Sequence, residues 1–128
     1  MAELLGERLL TWHLGGPLAL LIPFLITAII KTLQGSSLVA AITTAGMVQP
    51  ILASLGLGDE SGKALAALAV GTGAMTVSHV NDEFFWLVAN SAGFKPLRGL
   101  ARFSVGTLLQ GAIAVAALLI LWVAASSI

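Results

Sequence analysis

Residues 64–92 read ALAALAVGTGAMTV, then Ser78-His79-Val80-Asn81-Asp82-Glu83, then FFWLVANSA, and this stretch decides the fold. The first run, Ala64 to Val77, is 14 residues without a charge. As a helix it is about 21 Å long, short of a hydrocarbon core of about 30 Å. The polar cluster that follows is therefore expected at mid-depth in a membrane, where it breaks the helix over 64–92. Ionisable side chains are costly at that depth and by default mark a substrate or ion pathway. These residues point to a transporter.

Composition leads the same way. Hydrophobic residues make up 58% of the chain and charged residues 9%, against about 25% charged in a soluble domain; the mean hydropathy is +1.01. The formal net charge is zero, from 6 basic and 6 acidic side chains. No basic stripe marks a nucleic-acid footprint, so no nucleic-acid partner is expected. Cysteine is absent, which excludes disulfides and thiolate metal sites, and His13 and His79 lie too far apart for a metal motif. Gly71-Thr72-Gly73 lacks the Lys-Ser/Thr of a phosphate-binding loop. Neither a metal nor a cofactor is expected.

Toward the C-terminus, Phe103 to Ala125 runs 23 residues without a charge, enough for a complete transmembrane helix, read over 102–125. Gln110, between Gly106 and Gly111, is expected to hydrogen-bond a neighbouring helix. Lys95, Arg98 and Arg102 gather half of the 6 basic residues into one short loop. The positive-inside tendency places that loop in the cytoplasm and the C-terminus outside.

Toward the N-terminus, apolar arms at 17–33 and 37–57 flank a second polar centre, Lys31-Thr32-Leu33-Gln34-Gly35-Ser36-Ser37. Gly35 permits a turn, and Ser36 or Ser37 can cap the helix that follows. The arms fit a re-entrant hairpin or two full spans with an external loop at 34–37. Two stripes of small and hydroxyl residues, Ser36-Ala40-Thr43-Thr44-Met47 and Ala67-Gly71-Ala74-Ser78, fit close helix packing. Residues 1–14 read as an amphipathic or connecting segment with His13 at the interface beside Trp12, and Glu3 and Glu7 stand where a signal peptide would be basic. Residues 15–128 form the membrane domain. The fold class is an all-α integral membrane protein whose transmembrane helices carry broken or re-entrant segments.

The two polar centres carry a family resemblance. Lys31-Thr32-Leu33-Gln34-Gly35-Ser36-Ser37-Leu38-Val39-Ala40 with Thr43-Thr44-Ala45, and Gly71-Thr72-Gly73-Ala74-Met75-Thr76-Val77-Ser78-His79-Val80-Asn81-Asp82 with Phe85-Trp86, resemble the gluconate permease (GntP) family of sugar-acid and proton symporters. The resemblance runs from about Pro17 onward and matches the C-terminal part of such a permease. Family members are several times longer and are thought to use two inverted repeats, so the chain is expected to be one half of an inverted-repeat transporter fold. Its implied partners are the lipid bilayer and either a missing N-terminal half or a second copy of the chain.

The resemblance implies multi-pass insertion in the inner membrane and transport of a sugar-acid anion such as gluconate with a proton. Gly35, Ser36 and Ser37 would offer amides and hydroxyls to the carboxylate, and Ser78, Asn81 and Thr43 would bind sugar hydroxyls. Lys31 would add positive potential, or else snorkel outward to the membrane edge. For proton coupling, His79 is the first candidate because its unperturbed pKa is about 6.5. Asp82 is the second, with a helix cap as its structural alternative. Two other classes compete. A membrane scaffold has no need of polar helix breaks, and an enzyme using His79 and Asp82 would lack a nucleophile, metal set or cofactor motif.

Overall fold

A computed structural model describes residues 16–93 and 95–127, so the reading of residues 1–14, with His13, lies outside the described residues. All regular structure among the described residues is helical. Helix α1 (Leu21–Gln34) continues from a 3-10 turn, Gly16–Leu20, and α2 (Ser37–Val48) runs into another, Gln49–Ile51. Next come α3 (Glu60–Ala74), α4 (Glu83–Ser91) and the single turn α5 (Pro96–Gly99). A π-helical stretch, Leu100–Ser104, leads into α6 (Val105–Ala125).

Local chemistry sets these limits. Pro23 sits in the first turn of α1, where its missing N–H is not needed, and its carbonyl accepts the Thr27 hydroxyl at 2.6 Å. The Ser36 hydroxyl caps α2 by accepting from the Val39 amide at 3.4 Å. Asp59 caps α3, accepting from Gly62 N at 3.3 Å, so this helix starts earlier than the uncharged run that begins at Ala64. Near its other end, the Thr72 and Thr76 hydroxyls donate back to the carbonyls of Ala69 and Thr72, both at 2.9 Å. Such bonds compete with the helical ladder, and α3 stops at Ala74.

Helix α1 packs against both α2 and α3, and α6 packs against α3. The core gathers Ala19, Leu20, Phe24, Leu55, Leu57, Ala66, Ala69 and Leu118. Gly73 allows the close crossing of α1 and α3, since a Cβ there would overlap the Phe24 carbonyl and come within 2.8 Å of Thr27 Cβ. Gly111 does the same for α6, whose backbone lies against the Thr76 side chain. The buried face of α3 is thus Ala66, Ala69, Val70, Gly73 and Ala74. The expected stripe divides: Ala67 and Gly71 face outward, and Ala74 and Ser78 inward. On α2 the stripe divides likewise, with Ala40 and Thr44 buried and Thr43 and Met47 exposed.

The outer surface is apolar. Leu33, Leu38, Ile42, Leu87, Ile113 and Ile120 are all more than half exposed, the reverse of a water-facing surface. Gly16–Gln34, at 19 residues, and Leu97–Ala125, at 29, are long and apolar enough to cross a membrane, and Ser37–Ile51 is shorter. The last helix therefore begins before residue 102. Arg98 and Arg102 lie on its first turns, where the sequence suggested a loop. Gln110 is exposed on α6, and its side-chain amide makes no hydrogen bond among the described residues.

Candidate functional site

The two apolar-flanked polar centres meet. Helix α1 ends at Gly35 in the left-handed conformation, φ +77°, and the Gly35 amide donates to Lys31 O at 2.7 Å. Gly35 lies directly against the Asn81 carbonyl, which leaves no room for a Cβ. Asn81 Nδ2 reaches back to donate to Leu33 O at 2.7 Å, satisfying one of the carbonyls that a helix end leaves unpaired. The break between α3 and α4, residues 75–82, is thereby docked on the C-terminal end of α1.

Lys31 stands one turn before that end, where the helix dipole favours a cation. Its side chain turns inward and is 1% exposed, so the snorkelling alternative is not what the chain adopts. Its ammonium donates to Val77 O at 2.9 Å, Ser78 Oγ at 2.8 Å and Asp82 Oδ2 at 2.7 Å. All three of its donors are used. The Asp82 side chain is 6% exposed. Its other oxygen, Oδ1, accepts from Phe84 N at 2.9 Å and caps α4. Asp82 is both cap and ion-pair partner, and its partner is Lys31 rather than His79.

The break is also held from the opposite side. Thr107 Oγ1 accepts from Ser78 N at 2.9 Å, and the Ser104 hydroxyl donates to Ser78 O at 2.5 Å. Ser104 is the last residue of the π-helical stretch, and π-turns are frequent at functional sites. Between these two clamps Val77 takes φ +50°, a rare conformation for a β-branched residue that costs on the order of 1–3 kcal/mol. That turn of the backbone aims its carbonyl at Lys31. Further along, Trp86 Nε1 donates to Val80 O at 2.9 Å, and the Trp86 ring packs edge-on to Phe85 with centroids 5.4 Å apart.

Among the candidates read from sequence, Lys31, Ser78 and Asp82 join in one network, with Gly35 and Asn81 packed at its edge. The Gly35 amide, expected to face a carboxylate, is committed to closing α1. His79 is half-buried, and its Nδ1 accepts from Asn81 N at 3.1 Å, which leaves Nε2 as the other polar atom of the ring. Ser36 serves as the α2 cap. Ser37 and Thr43 are exposed on α2 and share no hydrogen bond with the network. Sequence reasoning missed Ser104 and Thr107. Their only signal was two hydroxyls early in an apolar segment. A recess of about 560 Å³ between α2 and α3 is lined by residues that include Ala41, Ile42, Ala45, Gln49, Lys63 and Val70, and by none of these candidates.

Helices of spanning length, an apolar exterior and a charged pair confined to a helix break define a membrane protein whose polar centre lies inside its helical layer. The model of the GntP family permeases matches residues 3–125, and the chain belongs to that family, whose members are transporters and not enzymes. It is 39% identical over 102 residues to a gluconate permease of Bacillus licheniformis, covering 77% of this chain and 20% of that protein. It is 43% identical over 68 residues to a high-affinity gluconate transporter of Escherichia coli, covering 53% and 15%. With an L-idonate transporter of Escherichia coli it shares 44% identity over 68 residues, again 53% and 15%. The chain spans at most about one fifth of the length of these relatives. No solved structure matches it.

Proposed function

We propose that the chain carries out transport of gluconate or a related sugar acid, by proton symport, as the C-terminal part of a permease in the inner membrane. One observation carries this reading: in a chain of a permease family, the buried charged side chains Lys31 and Asp82 meet at the helix break. A helix break lined by protein is where polar backbone is tolerated at membrane depth, and where carriers of this general type hold substrate.

A sugar acid offers one carboxylate and several hydroxyls. Lys31 supplies the positive potential for the carboxylate. Ser78 and Asn81 lie beside it to meet hydroxyls, with Ser36, Ser37 and Thr43 contributing from the α2 side and Gly35 permitting the close approach of the two centres. Asp82 and His79 are the groups at the break that can take up a proton. A complete enclosure comes from a second part, either the preceding and longer part of a permease or a second copy of the chain. The membrane domain spans 15–128, with Arg98 and Arg102 on the cytoplasmic side and α2 too short to cross alone.

The test is uptake of labelled gluconate into proteoliposomes holding this chain, with and without an inward proton gradient. Gradient-dependent uptake is the expected result with a second half available. Failure of the inserted, folded chain to take up gluconate under any gradient, both alone and combined with the preceding part of a longer permease, contradicts the reading.

A further inference from the structure

We propose that the substrate carboxylate and Asp82 are alternative partners of Lys31, so that a proton on Asp82 releases the ammonium to the incoming anion. This rests on the sugar-acid reading above and assigns the coupling proton to Asp82. The geometry makes the competition unavoidable. Lys31 is 1% exposed and its three N–H donors are all occupied, by Val77 O, Ser78 Oγ and Asp82 Oδ2. A carboxylate from outside finds no free donor until one of these partners leaves. Val77 O is fixed backbone, held beside a Ser78 clamped at both its amide and its carbonyl. Asp82 is the partner with the same chemical group as the substrate.

Charge balance then sets the stoichiometry. The resting pair sums to zero. A second carboxylate added to that pair would leave a net negative charge in a water-poor site, at a cost that an ion pair does not repay. If Asp82 Oδ2 takes a proton, its bond to the ammonium is replaced by a bond between the ammonium and the substrate carboxylate. The sum is again zero: one cation, one anion, one neutral acid. One proton and one anion therefore enter together and leave together. Asp82 stays in place throughout, because Oδ1 still accepts from Phe84 N at the head of α4.

The surrounding charges leave this role to Asp82. Lys31 is the only charged side chain on α1, and α6 has none. On α3 the charged residues, Glu60 and Lys63, lie at the end remote from the break. Glu83 on α4 is exposed, as are Lys95, Arg98 and Arg102 ahead of α6. His79, on the break itself, has its Nδ1 occupied by the Asn81 amide. Among the described residues, Asp82 is the buried carboxylate that faces the ammonium.

The experiment measures gluconate binding to the full chain in lipid nanodiscs, together with proton uptake in weakly buffered solution. The wild-type chain should take up one proton per gluconate bound, and its affinity should fall with rising pH, by up to about tenfold per unit. Asp82→Asn, which keeps a capping side chain, should bind gluconate with no proton uptake and with an affinity nearly flat in pH. Lys31→Gln should lose gluconate binding by at least about tenfold. Wild-type binding without proton uptake, proton uptake persisting in Asp82→Asn, or undiminished binding by Lys31→Gln overturns the exchange and leaves the transport reading standing. Absence of gluconate binding at any pH by the wild-type chain, both alone and combined with the preceding part of a longer permease, overturns the transport reading and the exchange with it.

Discussion

The two breaks between apolar helices are built on opposite principles. The first, Gly35-Ser36, is two residues long and satisfies itself: Gly35 turns left-handed and bonds to Lys31 O, and the Ser36 hydroxyl caps the next helix. The second, residues 75–82, is eight residues long and takes its partners from elsewhere in the chain: Lys31 and Leu33 from α1, Ser104 from the π-helical stretch and Thr107 from α6. The first turn spends its Gly35 amide and Ser36 hydroxyl on its own helix ends. A break held by distant side chains keeps polar groups together in a protein interior, and those groups can exchange partners.

That contrast can be broken experimentally, and the largest effect should come from its charged member. Lys31→Met leaves Asp82 buried without its cation and should cost about 3–5 kcal/mol of stability, read as a lowered midpoint of thermal unfolding in detergent. The double variant Lys31→Met/Asp82→Asn should recover most of that loss, and a loss equal to that of the single variant would show that the pairing is not what matters. Gly35→Ala combines a left-handed φ with the overlap on Asn81 O and should cost about 3 kcal/mol. Gly56→Ala is the control: Gly56 has φ +73° with nothing within 4 Å and should lose only about 1 kcal/mol.

Smaller effects sharpen the comparison. Thr107→Val keeps the shape of the side chain but strands the buried Ser78 amide, at about 1–3 kcal/mol. Hydrogen exchange should show this loss as faster opening over residues 76–82 with α1 and α2 unaffected. Ser36→Ala removes only a long, exposed cap bond from the self-sufficient turn and should cost about 0.5 kcal/mol. If Ser36→Ala proved the costlier of the two in the same unfolding assay, the ranking of the breaks would be reversed.

Much of this was legible along the chain because it is local. An apolar run of limited length followed by Ser78-His79-Val80-Asn81-Asp82-Glu83 announces a broken helix, and Gly35-Ser36-Ser37 announces a turn and a cap. Asp82 as the α4 cap follows from its place before an apolar run. The Lys31–Asp82 pair is different in kind: its members are 51 residues apart, and no helical periodicity relates residues on elements that are not consecutive. The choice between a buried and a snorkelling Lys31 was open for the same reason. On α6 the amide of Gln110 stands out in an apolar segment, yet Gln110 faces outward and Thr107, less than a turn earlier, faces the break. A threonine hydroxyl is nearly silent in hydropathy, and its partner, the Ser78 amide, has no sequence signal at all.

The central claim is that the second break is where substrate binds. The chain contains no cysteine, so single cysteines can report on it directly. The decisive measurement is the rate at which a thiol reagent labels Val80→Cys, an exposed position within the break, and Ser61→Cys, exposed at the far end of α3, with and without gluconate. The account predicts that gluconate slows labelling at position 80 and leaves position 61 unchanged. Labelling at position 80 that is indifferent to gluconate, in protein shown to bind it, would place the substrate elsewhere and contradict the account.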